Sequence, residues 1–206
     1  MKRKRAFEFM ALTLGALLVI GAFLLFQGRT KKYLQPITYQ DFAEVEKKDP
    51  YYKGRWKYFR LVVDLVHRLK PESVLELGPY RLPLVKGGDT MDIVKVLDQL
   101  TYFHDATKIP WPMADKTYDL FIACEVWEHL GNSQQQAFRE AMRVSRRAVF
   151  SFPYKWKYRK EVAYEEAMTH RDIDEAKIAD WTLQRKPSAI SFSADKRYVV
   201  YLFEFD

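Results

Sequence analysis

Several acidic residues of this sequence stand directly after short apolar runs. When such runs form parallel strands, their carboxyl ends meet at one edge of the sheet, where open α/β sheets bind ligands. A carboxylate at that edge can accept hydrogen bonds from ribose hydroxyls, so the pattern indicates a nucleotide-like ligand. Four acids have this placement: Glu76 in "SVLELGPYRLP" (73–83), Asp92 in "DTMDI" (89–93), Asp105 in "HDATKIPWP" (104–112) and Glu125 in "TYDLFIACEV" (117–126).

Gly78 follows the first of these acids, where a ligand-binding turn needs conformational freedom. A glycine there lets the backbone approach a bound molecule and leaves N–H groups free for its polar atoms. The next two residues depart from a glycine-rich turn, because Pro79 has no N–H and Tyr80 does not readily take a positive φ. We therefore expect a ligand-binding loop in which Tyr80 is the least suitable residue.

Histidine and aromatic side chains supply candidates for the acceptor side of a reaction. His129 stands beside an acid and either takes part in acid–base chemistry or closes a loop. His170 either faces the acceptor or caps the helix that follows it. Tyr154 and Trp156 lie in the basic-aromatic run "YKWKYRK" (154–160), directly after a strand. The catalytic residues themselves stay undefined by the sequence.

Other reactive side chains have structural interpretations. His67 lies within a predicted helix, and Cys124 lies within an apolar strand. Because Cys124 is the single cysteine, an internal disulfide and a cysteine-based zinc cluster are both excluded. We expect no metal site.

The elements that would position these residues alternate between helix and strand until a final hairpin. That order predicts a mostly parallel sheet covered on both faces, with an antiparallel strand at the end. Only 12 positions separate Asp92 from Asp105, so we expect the sheet to be trimmed there, with "VKVLDQL" (94–100) as a short helix. The predicted helices are 55–71, 133–145 and 172–182, and the predicted strands are 73–77, 89–93, 117–126, 147–154 and two within 189–205.

The ordered set of motifs resembles the class I S-adenosylmethionine-dependent methyltransferases of the type 11 group. "LELGP" is similar to the first motif of that family, and "HDATKIPWPMADKTYDLFIACEVWEHL" (104–130) is similar to its most specific run. "REAMRVS" and "SFPYKWKY" resemble the segments that follow. The resemblance covers residues 55–206. It implies a Rossmann-like α/β fold, S-adenosylmethionine as the cofactor and methyl transfer as the activity.

The resemblance also implies roles for individual residues. Asp92 would accept from both ribose hydroxyls, Asp105 from the adenine amino group, and the N–H of Ala106 would face a ring nitrogen. Glu76 would lie near the methionine ammonium, directly or through water. The implied cofactor site comprises Glu76, Gly78, Pro79, Asp92, Asp105, Ala106 and Glu125. The departure at Tyr80 keeps an alternative open, a methyltransferase-fold scaffold or binding protein without turnover.

The N-terminal segment carries most of the positive charge. The chain has 206 residues and a net charge of +7, yet residues 33–206 contribute only +1. A body with so small an excess argues against nucleic acid as a partner. Residues 10–26 form an uncharged apolar run between basic flanks, which predicts a transmembrane anchor over 1–32. A linker over 33–54 and a catalytic domain over 55–206 would follow.

The orientation of this predicted anchor is a conflict between two arguments. Four basic residues precede the apolar run and three follow it, which weakly favours a cytosolic N-terminus. S-adenosylmethionine is made in the cytosol, so a working enzyme must face it. We therefore expect a single-pass membrane protein whose catalytic domain faces the cytosol, acting on a small-molecule or lipid-like acceptor.

Overall fold

The computed structural model describes residues 32–98, 100–157 and 169–205. The chain divides into two units, Met1–Lys32 and Tyr33–Asp206. The predicted anchor over residues 1–32 lies outside the described residues, except for Lys32. Within the described ranges, none of the helices is both long enough and apolar enough to span a bilayer.

The second unit is built on one seven-stranded sheet with helices on both faces. The elements of the unit are β1 Gln35–Pro36, α1 Tyr39–Glu46, α2 Trp56–Leu69, β2 Val74–Leu77, β3 Val85–Lys86, β4 Asp89–Asp92, β5 Tyr102–Phe103, β6 Leu120–Cys124, α3 Gln134–Val144, β7 Arg147–Pro153, α4 Glu175–Trp181, β8 Ala189–Phe192 and β9 Tyr198–Glu204. The strand order of the sheet is β5-β4-β2-β6-β7-β9-β8, with parallel pairing from β5 to β7 and antiparallel pairing of β9 with β7 and β8. This confirms the predicted α/β fold with a C-terminal antiparallel hairpin.

The central strands are buried on both faces, which is why they read as continuous apolar runs. Leu120 and Ile122 of β6 face a core formed with α1 and α2. Phe121 and Ala123 alternate with them and face a second core formed with α3 and α4. The period of two along a strand thus divides one apolar run between two layers.

The predicted linker over 33–54 is part of the folded body. Its β1 pairs with β3, and its α1 begins with a capping box between Thr38 and Asp41. Phe42 and Tyr52, from the same segment, are fully buried. The segment therefore contains a short helix and closes one side of the core.

The crossovers on one side of the sheet are shorter than predicted. Described residues 94–98 contain no helix, so the predicted helix over 94–100 is wrong. Val94 is 52% exposed and no side chain of residues 94–98 is fully buried, so the run lacks the packed apolar face that stabilises a short helix. The connections from β2 to β4 and from β5 to β6 also lack helices in the described chain, so the trimming extends beyond the predicted gap.

A hydrogen-bonded tryptophan and an arginine hold the loop that replaces the crossover before β6. Trp111 is buried, its ring N–H donates to the carbonyl of Ala106 at 3.0 Å, and its backbone N–H donates to Glu140 at 2.6 Å. The Arg143 guanidinium donates to Glu140 and to the carbonyls of Trp111 and Met113. Glu140 and Arg143 of α3 therefore fix the position of this loop, which takes the place of a crossover helix.

Candidate functional site

The carboxyl edge of the sheet carries the predicted acids, and the first of them is tied to its own loop. Glu76 is buried in β2, and its carboxyl oxygens lie 2.7 and 3.0 Å from the N–H of Leu84. Burial raises the pKa of Glu76 to about 8, against the lowering effect of the backbone N–H groups. Glu76 thus holds the end of the loop at Leu84. Glu76 also lines the cavity beside Gly78.

Gly78 is required by its conformation and by its neighbour. It has φ +65°, and a Cβ added there would lie 2.6 Å from a methyl of Val126. Its N–H donates to the carbonyl of Met91 at 2.9 Å, so this group is not available to a ligand. The close approach of two strand ends, rather than a free N–H, is what glycine provides here.

Tyr80 takes the conformation that the sequence argument disfavoured, with φ +53°. A side chain in the left-handed region costs about 1–2 kcal/mol. Its ring lies against Tyr51 and Tyr52, with centroid distances of 4.8 and 6.4 Å. These aromatic contacts offset the backbone strain.

An aromatic cluster from residues 51–58 covers the carboxyl ends of β2 and β6. Tyr51, Tyr52, Arg55 and Tyr58 line one side of a cavity whose other side is formed by Glu76, Gly78, Pro79, Tyr80 and Cys124. The Arg55 guanidinium stacks on Tyr51 at 3.8 Å and donates to the Tyr58 hydroxyl at 2.7 Å. The cavity measures about 20 Å³, which is room for one water molecule.

Asp92 remains accessible at the end of β4. One carboxylate oxygen accepts from the N–H of Val94 at 3.0 Å, and the residue is half-buried. The neighbouring Ile93, Val94 and Phe103 are 60%, 52% and 61% exposed. A carboxylate beside exposed apolar side chains suits a ribose carrying an aromatic base, because one group accepts hydrogen bonds and the others cover the ring.

Asp105 and Ala106 belong to a turn that follows β5. Asp105 accepts from the N–H and the hydroxyl of Thr107 at 2.9 and 2.8 Å, and these bonds lower its pKa. Ala106 is buried beneath Trp111. The turn fixes both residues beside the edge strand, with Asp105 half-buried.

Two glutamates lie one turn apart after β6. Glu125 has φ +55° and accepts from the Ser151 hydroxyl at 3.1 Å. Removal from water, and then the charge of Glu128, raise the pKa of Glu125. Burial likewise raises the pKa of the Cys124 thiol, in keeping with its predicted structural role.

Three of the four acceptor-side candidates come together. The rings of His129 and His170 are 4.8 Å apart, and Trp156 lies 5.8 Å from His170. Tyr154 faces elsewhere, with its hydroxyl on Glu175 and its ring 5.1 Å from that of Phe192. The structure therefore separates Tyr154 from the other candidates.

Sequence reasoning did not assign Arg55, Tyr51 or Tyr58 to the site. They belong to the run "YYKGRWKYFR" (51–60), whose basic and aromatic residues are compatible with a membrane interface, a plain surface or a contact with single-stranded nucleic acid. Some residues of this run pack in the core, and others line the cavity beside Gly78. Which residues reach the loop after β2 depends on the tertiary contact and cannot be read from the run itself.

A family model and several solved structures match this chain. Residues 91–150 match the model of a methyltransferase domain, so the match includes Asp92, Asp105 and Glu125 but begins after the glycine loop. Over that segment the chain is similar to methyltransferase domains, and the cofactor that this similarity implies is S-adenosylmethionine. No curated protein matches the chain by sequence.

The solved structures show the same fold at low identity. An S-adenosylmethionine-dependent methyltransferase from Clostridium acetobutylicum matches with a TM-score of 0.51 and 10% identity, over 81% of this chain and 98% of that one. A methyltransferase from Aquifex aeolicus gives 0.50 and 13%, over 78% and 96%. The methyltransferase domain of a bacterial Hen1 (CtHen1-CN) gives 0.51 and 12%, over 73% and 99%.

The residues present fit the two ends of this cofactor differently. Asp92 and its exposed apolar neighbours suit the adenosine end. The cavity beside Gly78 and Tyr80 has room for about one water molecule, which is far less than the methionine arm of the cofactor needs. The methionine end therefore requires side chains of the aromatic cluster to move. Tyr80 is the side chain that would have to leave, because its ring closes the cavity against Tyr51 and Tyr52.

Proposed function

We propose that this methyltransferase is held at a membrane by its N-terminal segment and methylates a small-molecule or lipid-like acceptor. The accessible carboxylate of Asp92, beside exposed apolar side chains at the carboxyl edge of the sheet, is the observation that carries cofactor binding. The cluster of His129, His170 and Trp156 lies beyond the end of β6 and supports an acceptor site there.

The chain's contribution to the reaction is chiefly alignment. When bound, S-adenosylmethionine supplies a methyl group on a sulfonium that is already a good leaving group. Asp92 would hold the ribose, and the ends of β2 and β6 would fix the direction of the methionine arm. Holding an acceptor in line with the methyl group then provides most of the rate advantage.

Calorimetric titration of the full chain in detergent tests cofactor binding. We expect micromolar binding of S-adenosylmethionine and of its demethylated product. Removing a carboxylate that accepts two hydroxyl bonds costs about 1.5–3 kcal/mol per bond, so Asp92→Ala should weaken binding by roughly 100-fold or more. Asp64→Ala, on the exposed face of α2, is the matched control and should bind normally. Failure of the folded protein to bind would favour the scaffold alternative.

The membrane arrangement rests on the sequence. Residues 10–26 are apolar and uncharged, and basic residues flank them. We propose that the catalytic domain faces the cytosol, because its cofactor is made there. A reporter enzyme active only outside the cytosol, fused after Asp206, tests this orientation. No reporter activity is expected, and strong activity would show the opposite topology.

A further inference from the structure

A buried carboxylate and two imidazoles converge beyond the end of β6. Glu128 and His129 are consecutive residues of the short turn Trp127–His129, and His170 reaches them from the segment before α4. One ligand atom from each of the three side chains can be chosen so that all lie within 4.8 Å of one another. No acid or histidine of the predicted cofactor set belongs to this group.

Glu128 is a buried carboxylate whose oxygens accept no hydrogen bond from the described residues. Its side chain has no exposed surface. The approach of His170, whose Nε2 lies 3.3 Å from Oε1, is an ion pair only when that imidazole is protonated. Since a buried carboxylate without compensation costs several kcal/mol, a bound cation would satisfy it.

The geometry is close to that of a coordination shell. Bonds from Zn²⁺ to histidine nitrogen or carboxylate oxygen measure about 2.0–2.2 Å, so two ligand atoms in a tetrahedral shell lie about 3.3–3.6 Å apart. The ligand atoms lie within 4.8 Å of one another, so the widest pair has to close by about 1.2–1.5 Å, which is roughly 0.6–0.8 Å for each atom. His129 is exposed and can adjust, and Thr169 Oγ1 lies 3.4 Å from its Nδ1. A hydroxyl beside a ring nitrogen is the kind of outer contact that orients a metal-bound histidine.

We propose that Glu128, His129 and His170 form a binding site for one divalent transition-metal ion. Two imidazoles and one carboxylate suit Zn²⁺ or a similar ion, whereas Mg²⁺ and Ca²⁺ prefer all-oxygen ligands. Three protein ligands leave a coordination position open, and the site lies beside Trp156. Metal binding is measurable without cofactor or acceptor, so the inference does not depend on the proposed function.

Calorimetric titration of the full chain with Zn²⁺, after removal of bound metal by a chelator, tests the site. We expect one Zn²⁺ per chain at micromolar affinity or better, and binding of Mg²⁺ at least tenfold weaker. Since loss of even an outer-shell partner of a metal site costs about 10–100-fold in affinity, His170→Ala should weaken Zn²⁺ binding by at least about 100-fold. His67→Ala, an exposed histidine of α2, is the matched control and should bind as the unaltered protein does.

A thermal shift provides a second measurement that does not depend on a variant of the buried glutamate. Zn²⁺ that binds only the folded protein should raise Tm for the unaltered chain and for His67→Ala, but not for folded His170→Ala. Equal Zn²⁺ affinity of His170→Ala and His67→Ala would overturn the proposal. Absence of a Zn²⁺ site in the folded, unaltered chain would also overturn it and leave a buried Glu128–His170 ion pair.

Discussion

Replacing Tyr80 with glycine separates two effects that the native loop combines. Tyr80 holds φ at +53°, and its ring closes the cavity against Tyr51 and Tyr52. Glycine takes positive φ without penalty and has no side chain. Tyr80→Gly should therefore relieve strain and open the methionine end of the site in one change.

The expected gain in affinity comes from contacts that no longer have to be broken. Two aromatic contacts, at 4.8 and 6.4 Å, contribute about 0.5–1.5 kcal/mol each. If the ring must leave both before the cofactor enters, its removal saves about 1–3 kcal/mol, which is about 5- to 150-fold in affinity. Protein stability should change little, because lost packing and the entropy of glycine oppose the relief of about 1–2 kcal/mol of backbone strain.

Titration with S-adenosylhomocysteine measures this effect directly. Tyr80→Phe keeps the ring and the strained backbone, so it should bind as the unaltered chain does. Tyr80→Ala removes the ring without freeing the backbone and should show the gain in affinity with lower stability. Weaker binding by Tyr80→Gly than by Tyr80→Phe would refute the reasoning, since it would mean that the ring forms part of the bound site.

Three further perturbations test how the site is supported. Gly78→Ala should destabilise the fold by about 1–3 kcal/mol more than Gly131→Ala, as measured by urea denaturation. Both positions have a positive φ, but only at Gly78 would a Cβ lie 2.6 Å from a side chain. The folded pKa of Glu76 is about 8 against an ordinary 4.5, so the folded state holds its proton longer and stability should fall as pH rises from 4.5 to 8. Glu76→Gln should flatten that pH dependence in the same denaturation assay. Arg143→Met should lower the free energy of unfolding by about 2–3 kcal/mol, because the buried Glu140 and two loop carbonyls lose the guanidinium as a hydrogen-bond donor. Arg139→Met, at an exposed position of the same helix, should change the free energy of unfolding by no more than about 0.5 kcal/mol.

The strands and the long helices were predictable from local pattern. Apolar runs that end in acids gave the central strands, and the helical spacing of apolar residues in α2 and α3 gave two helices close to their observed bounds. The trimmed crossover could be foreseen because so few residues separate Asp92 from Asp105. The absence of a helix in this crossover could not be foreseen, since the run "VKVLDQL" has helical propensity and only lacks a surface on which to pack.

Contacts between distant segments decided the site. Residues 33–54 are polar enough to predict a linker, yet their Phe42 and Tyr52 complete a core whose other side comes from α2 and the sheet. The same segment brings Tyr51 over the glycine loop. A local pattern carries no information about such a contact, because it depends on how the segment returns across the sheet.

The α/β order, the acids at the carboxyl edge and the place of Gly78 can be read from the local pattern, since each follows from the period and end of a strand. The left-handed backbone of Tyr80 beneath an aromatic cluster depends instead on how distant segments pack. The tertiary structure alone joined His170 to Glu128 and His129, which are far from it in the chain. The physical reason is that burial and convergence are properties of packing between elements, whereas the sequence directly encodes only the pattern within each element.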